Sequence, residues 1–171
     1  IERIREADPG ASIRTTFIGG YPGATEDDFQ LLMDFIGEAH LDRLSAFRYW
    51  DEAGTRAAEL PDQVPEGEML DRLEALTLRQ AEISLEVNKQ YVGRRLRVLL
   101  ERTDEDTGEL VGRSYRDAPD VDGEVVVSGD APEPGSFASV EITEARVHDL
   151  CGIVEDARTD QRGKECIAHD D

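Results

Sequence analysis

The 171-residue sequence predicts an α+β protein, an α/β remnant followed by an all-β module. Three observations predict it. Strand-like and helix-like segments alternate in the first half; the hydrophobic period then falls from about 3.6 residues to two after Tyr91-Val92-Gly93; and the later strands are short and spaced by Gly, Pro and Asp turns. Residues 1–88 are expected as one domain ending in a linking helix, 89–152 as a small closed β-barrel, and 153–171 as a flexible tail.

Ser12 to Gly19 is rich in β-branched residues and runs into Gly19, Gly20, Pro22 and Gly23, the pattern of a buried strand entering a glycine-rich turn. A helix should follow at once. Thr25 is a good N-cap, Asp28 takes the capping-box position, and Glu26 and Asp27 suit the positive end of the helix dipole. Phe29, Leu32, Met33 and Ile36 recur at three and four residues and bury one face as far as about His40. Arg43 to Tyr49 is a second strand, and Trp50 to Pro65 a loop broken by Gly54, Pro61 and Pro65. From Glu66 the stripe Met69, Leu73, Leu76, Ile83 and Val87 gives a long helix, with Glu68, Asp71, Glu74 and Arg79 on its other side. Leu96, Val98 and Leu100 then alternate with Arg95, Arg97 and Leu99, a half-buried strand. Leu110 to Tyr115, Glu124 to Ser128, Phe137 to Ile142 and Arg146 to Leu150 complete a five-stranded module. Two parallel strands cannot bury both faces or satisfy both edges, so the first half reads as the end of a larger barrel. Phe17, Ile18, Phe47 and Tyr49 would then be left exposed.

Charge sets the partners. The chain holds 19 basic and 39 acidic residues, a net charge of -20, spread as 8 against 19 over residues 1–88, 8 against 14 over 89–152 and 3 against 6 beyond. A chain this acidic is poorly suited to neutralising phosphates and well suited to a basic partner. No apolar run approaches the roughly 20 residues of a membrane span, and nothing at the N-terminus resembles a signal peptide. Two cysteines, Cys151 and Cys166, give neither a disulfide framework nor a closed zinc site. The cytosol is the expected compartment, and an opening Ile1 suggests an excised piece of a longer chain.

Few residues advertise chemistry. The run Phe17 to Thr25 places glycines where a strand meets a helix, so a ligand could approach the backbone and an anionic group could meet the helix N-terminus; the alternative is a tight turn that needs positive φ. It is neither a Walker loop nor a GxGxxG. Asp51-Glu52 is a solvated pair in so acidic a chain, and His40, His148 and His169 have no partner at ligand spacing. Cys166 and His169 are two ligands without a site. In the second module, Val111 to Gly123 combines Arg113, Tyr115 and Arg116 with Asp117, Asp120 and Asp122; it suits a cationic protein loop, or is only a polar connection.

Taken in order, IRTTFIGGYPGATEDDF, LDRLSAFRYWDEAGTRAAELPDQVP, GRSYRDAPDVDGEVVV and VHDLCG resemble the last part of the radical-SAM methylthiotransferases, from about residue 2 to residue 154. The DAPDVDG run resembles the DAPEIDG run of the branch that modifies an aspartate of ribosomal protein S twelve (RimO-like). The tRNA-adenosine branch (MiaB-like) carries an NR-type run instead. The resemblance implies that residues 1–88 are the closing βα units and linking helix of a radical-SAM (β/α) barrel, and 89–152 a TRAM domain, an OB-like barrel.

It also implies a parent enzyme that binds S-adenosylmethionine and two 4Fe-4S clusters and places a methylthio group on the β-carbon of an aspartate in a basic ribosomal protein. The cluster cysteines of that family are not in this sequence, so this piece alone is expected to be inactive, with no catalytic or metal-ligating residue assigned. The family's cofactor-lining elements map onto Ile18, Gly20, Tyr21, Pro22 and Gly23, and onto Tyr49, Gly54 and Thr55. Substrate docking maps onto Arg113, Tyr115, Asp117, Asp120 and Asp122. Two positions depart from the pattern: Ala24 stands where Glu is common, and Trp50 where Ser is frequent. The alternatives are a tRNA-modifying fragment or a stand-alone RNA- or protein-binding TRAM module.

Overall fold

The computed structural model describes residues 1–119 and 121–154, so Asp120 and the expected tail beyond Val154, with Cys166 and His169, lie outside the described residues. The chain forms two compact units, one from Ile1 to Gln90 and the other beginning at Tyr91. No helix among the described residues is long and apolar enough to cross a membrane.

The first unit runs α1 (Glu2–Ala7), β1 (Arg14–Gly19), α2 (Glu26–Ala39), β2 (Arg43–Arg48) and α3 (Glu66–Lys89). Helix α1 has no apolar stripe to announce it and buries nothing; Arg5 instead donates to the His40 carbonyl at 2.7 Å. Strands β1 and β2 pair in parallel from Arg14↔Arg43 to Gly19↔Arg48. Helix α3 packs on β2 and β1, and α2 packs on α3. Their shared core is Ile36, Leu41, Leu76, Ile83 and Val87, all buried, and each such side chain contributes about 1.5–3 kcal/mol by leaving water.

A buried polar clamp fixes the entry to β2. Gln80 donates to the Leu41 carbonyl at 2.9 Å, the Ser84 hydroxyl to the Asp42 carbonyl at 3.1 Å, and Ile13 N–H to the Asp42 carboxylate at 2.9 Å. Two polar side chains that α3 buries, Gln80 and Ser84, thus hold loop backbone, which offsets part of their desolvation.

Only one face of the two-stranded sheet is covered. On the other, the paired residues Ile18 and Phe47 are each 62% exposed. Phe17 and Tyr49, expected to be exposed with them, are half-buried, because Phe17 points to the helix side and Tyr49 packs against Tyr21.

The second unit is a closed barrel of β3 (Arg95–Thr103), β4 (Leu110–Arg113), β5 (Val125–Ser128), β6 (Phe137–Ala145) and β7 (Leu150–Val154), in the order β3-β4-β5-β7-β6. Alternation along β3 turns Leu96, Val98 and Leu100 inward, where they meet Val111, Val125, Val127, Val140, Ile142 and Leu150. Gly112 is required by packing: a Cβ there would overlap the Leu99 carbonyl oxygen.

Three expected strand limits are corrected. Strand β4 stops at Arg113, because Ser114 enters a turn with Asp117; β6 continues to Ala145; and the last strand is Leu150–Val154. Arg146 to Asp149, expected as strand, is a turn closed by Arg146 N–H to the Asp149 carbonyl at 2.9 Å. Pairing forces this shift. Leu150 registers with Val125 on β5 and with Ala145 on β6, and Leu150 and Gly152 alternate inward, so residues 153 and 154 belong to the barrel.

Candidate functional site

In the first unit the site is built where both parallel strands end, the edge at which sheets of this kind receive ligands. Tyr49 N–H donates to the Gly19 carbonyl at 2.8 Å and ties the strand ends together. Gly20 follows with φ of 78°, and a Cβ on it would overlap Met69 of α3. Its glycine is therefore demanded by the turn and by the helix behind it. Pro22 is buried, while Gly23, with φ of 85°, has open space on its Cα and donates to the Asp62 carbonyl at 2.9 Å.

A cavity of about 170 Å³ lies on the helix side of this turn, lined by Phe17, Ile18, Gly20, Tyr21, Phe29 and Arg72 among others. Tyr21 and Tyr49 meet edge to face with ring centroids 5.8 Å apart, and the Tyr49 hydroxyl is buried with no hydrogen-bond partner among the described residues. The structure thus groups Ile18, Gly20, Tyr21, Pro22, Gly23 and Tyr49. Gly54 and Thr55 sit apart in the exposed loop after β2, where the Thr55 hydroxyl donates to the Glu52 carbonyl at 2.8 Å and accepts from Ala58 N–H at 3.3 Å.

The N-terminus of α2 does not offer the anion site that the sequence left open. Asp28 already occupies it, accepting from Thr25 N–H at 2.9 Å and from the Thr25 hydroxyl at 2.7 Å, while Thr25 Oγ1 accepts from Asp28 N–H at 3.2 Å. The Thr25 N–H, then its hydroxyl, hold the Asp28 carboxyl below its ordinary value of 3.8. With Glu26 and Asp27 beside it, a further anion would meet three carboxylates.

Arg72 was not singled out from the sequence, yet it organises this end of the unit. Only 7% exposed, it donates to the Ala24 carbonyl at 3.2 Å, pairs with Glu26 at 3.2 Å and Glu68 at 2.5 Å, and lies 5.5 Å over the Phe29 ring. The Glu68–Arg72 spacing of four was the available signal.

In the barrel, the docking candidates divide by burial. Asp117 is buried and accepts from Ser114 N–H at 3.0 Å and from the Ser114 hydroxyl at 2.7 Å, so its carboxylate closes the turn after β4 and is not presented to a partner. Asp122 accepts from Ala118 N–H at 2.8 Å and is half-buried; Tyr115 is 64% exposed; Asp120 lies outside the described residues. Arg113 pairs with Glu101 at 2.7 Å, and Arg102 donates to both Glu124 oxygens at 2.7 Å. These two ion pairs, with Ala118 and Asp122, rim a polar recess of about 380 Å³. Arg116, buried, stacks 3.8 Å over Tyr91 and anchors the same loop from inside.

Comparison with known proteins bears on both units. Residues 92–154 match the TRAM domain model. Over 154 residues, 90% of this chain and 35% of the relative, the chain is 45% identical to the ribosomal protein uS12 methylthiotransferase RimO of Microcystis aeruginosa. It is 44% identical to the protein of that name from Moorella thermoacetica, over 91% of this chain and 35% of the relative. With the Myxococcus xanthus protein it shares 40% identity over 99% of this chain and 36% of the relative. The chain spans about a third of the length of the curated relatives it matches.

Proposed function

We propose that this chain, 45% identical over 90% of its length to a uS12 methylthiotransferase of which it spans about a third, is part of an enzyme that adds a methylthio group to the β-carbon of an aspartate in ribosomal protein uS12. The observation that carries the reading is an alignment that runs through both units, at 45% identity over 90% of the chain.

Each unit has a role in it. The strand ends and turn of the first unit form one wall for S-adenosylmethionine, through Ile18, Gly20, Tyr21, Pro22, Gly23 and Tyr49, with Gly54 and Thr55 in the flanking loop. The half-covered sheet supports this, since its open face, with Ile18 and Phe47, is where further strands of a barrel would enclose a ligand. The chain's residues also fit such a ligand: the unpartnered Tyr49 hydroxyl can bond a ribose or amino-acid group, and Tyr21 and Ile18 present apolar surface. S-adenosylmethionine, when bound in a radical-SAM enzyme, supplies the carbon radical chemistry. The chain's own part is to orient it and exclude water.

Among the described residues no group of three or more His, Cys, Asp or Glu could hold a metal ion, so they do not fit the two 4Fe-4S clusters, and no role toward those clusters is assigned to them. The barrel serves as the docking module for a basic protein, with Arg113, Tyr115 and Asp122 on its outside and Asp117 shaping the loop. Asp120 belongs to the same proposed set.

Titrating the 171-residue chain with purified uS12 and with tRNA, at low and at physiological salt, tests the assignment. Tighter binding of uS12 at both salts is expected; binding of tRNA alone, with a steep loss on raising salt, overturns it.

A further inference from the structure

We propose that Trp50, held by Arg48, is a docking platform for an arginine or lysine side chain of a basic protein; identifying that protein as uS12 rests on the reading above, but the platform itself does not. The alternation that puts Arg48 on the helix-covered side of β2 carries Trp50 to the same side, and the Arg48 guanidinium lies 3.6 Å over the Trp50 ring. The guanidinium is in turn bonded to the carboxylate of Glu66, the first residue of α3, at 2.5 Å. Trp50 nevertheless remains 66% exposed. A large indole fixed on one face and open to water elsewhere has surrendered much of its rotamer freedom in advance and gains on contact with a partner.

Charge decides which partner. Glu66 offsets the positive charge of Arg48, and Asp51 and Glu52, both exposed, follow Trp50 directly. A cation approaching the ring is attracted by its π-face and by two carboxylates, whereas a phosphate or an acidic peptide meets those carboxylates and finds Arg48 already paired with Glu66. Tyr49 packs on Tyr21 while Trp50 packs on Arg48, so the platform and the wall assigned to S-adenosylmethionine use different ring contacts.

Trp50 is the single tryptophan of the sequence, so its emission reports on the platform directly. The full chain is titrated with a fluorescein-labelled arginine–glycine repeat peptide, with a glutamate–glycine peptide of equal length and with an RNA oligonucleotide, following Trp50 emission and label anisotropy. The basic peptide alone is expected to give a saturable emission change. Trp50→Ala should weaken its binding about three- to fivefold and Trp50→Phe by less, in line with an exposed cation–π contact. Asp51→Asn with Glu52→Gln should weaken it further and flatten its salt dependence. Unchanged emission with unchanged affinity of Trp50→Ala, or a stronger response to RNA or to the acidic peptide, overturns the platform. If uS12 itself still binds Trp50→Ala as tightly as the native chain, the platform falls while the uS12 reading stands; if the native chain binds the basic peptide at Trp50 but not uS12, the reverse holds.

Discussion

Gly20 shows how one residue can answer to two constraints at once. Its φ of 78° is a left-handed conformation that side chains resist, and Met69 fills the space where a Cβ would stand. Gly20→Ala is expected to destabilise the first unit by about 2 kcal/mol, read as a lowered urea midpoint. The turn itself was legible from Gly19, Gly20, Pro22 and Gly23. Met69 as the reason was not, because a stripe residue on a helix 49 positions later carries no sign of which loop it will fill.

Asp117 makes the same point in reverse. Its place in an acidic run suggested a partner-facing carboxylate, and a buried bond to its third neighbour is invisible to composition. Asp117→Ala should strand the Ser114 donors and cost about 1–3 kcal/mol in barrel stability. Asp104 carries a pH dependence: the Thr107 N–H first, then the Thr107 hydroxyl, hold its carboxyl below 3.8. A depressed folded value means that its stabilising effect is present above pH 3.8 and is lost as pH falls through the lower folded value. The stability difference between native chain and Asp104→Asn should therefore shrink on acidification from neutral pH; a constant difference would sink the assignment.

Among the elements, α2 was the most legible, since its N-cap, capping-box acid and apolar spacing all agree on one start and one face. Thr25→Ala should cost roughly 1 kcal/mol and speed amide exchange in the first turn of α2. β7 was the least legible. The turn from Arg146 to Asp149 contains no Gly or Pro, so nothing in the sequence separates it from the strand that begins at Leu150. Only pairing with β5 and β6 fixes the strand four residues later. Ile142, wholly buried on β6 where β7 registers with it through Gly152, is a direct probe of that closure. Ile142→Ala is expected to lower barrel stability by about 2–4 kcal/mol in denaturant titration.

At the scale of the whole molecule, the period change from 3.6 to two marked two architectures, and the closed five-stranded ring and the helix-backed pair of strands are what the structure contains. The uncovered face of the first sheet was also legible, from strand counting alone. Its consequence is a bare apolar face at Ile18 and Phe47. A hydrophobic dye should bind the native chain and lose most of its signal with Ile18→Thr combined with Phe47→Thr, while Val98→Thr in the barrel core should not reduce it. No dye binding by the native chain would contradict the open face.

The ring order places β7 between β5 and β6, although the ribosome makes it after both. A nascent chain halted ahead of Leu150 would therefore hold one four-stranded sheet, β5-β4-β3-β6, whose two outer strands present bare hydrogen-bonding margins. The barrel can shut only once its closing five residues have cleared the exit tunnel, which puts the time of greatest vulnerability to mispairing at the very end of synthesis of this unit.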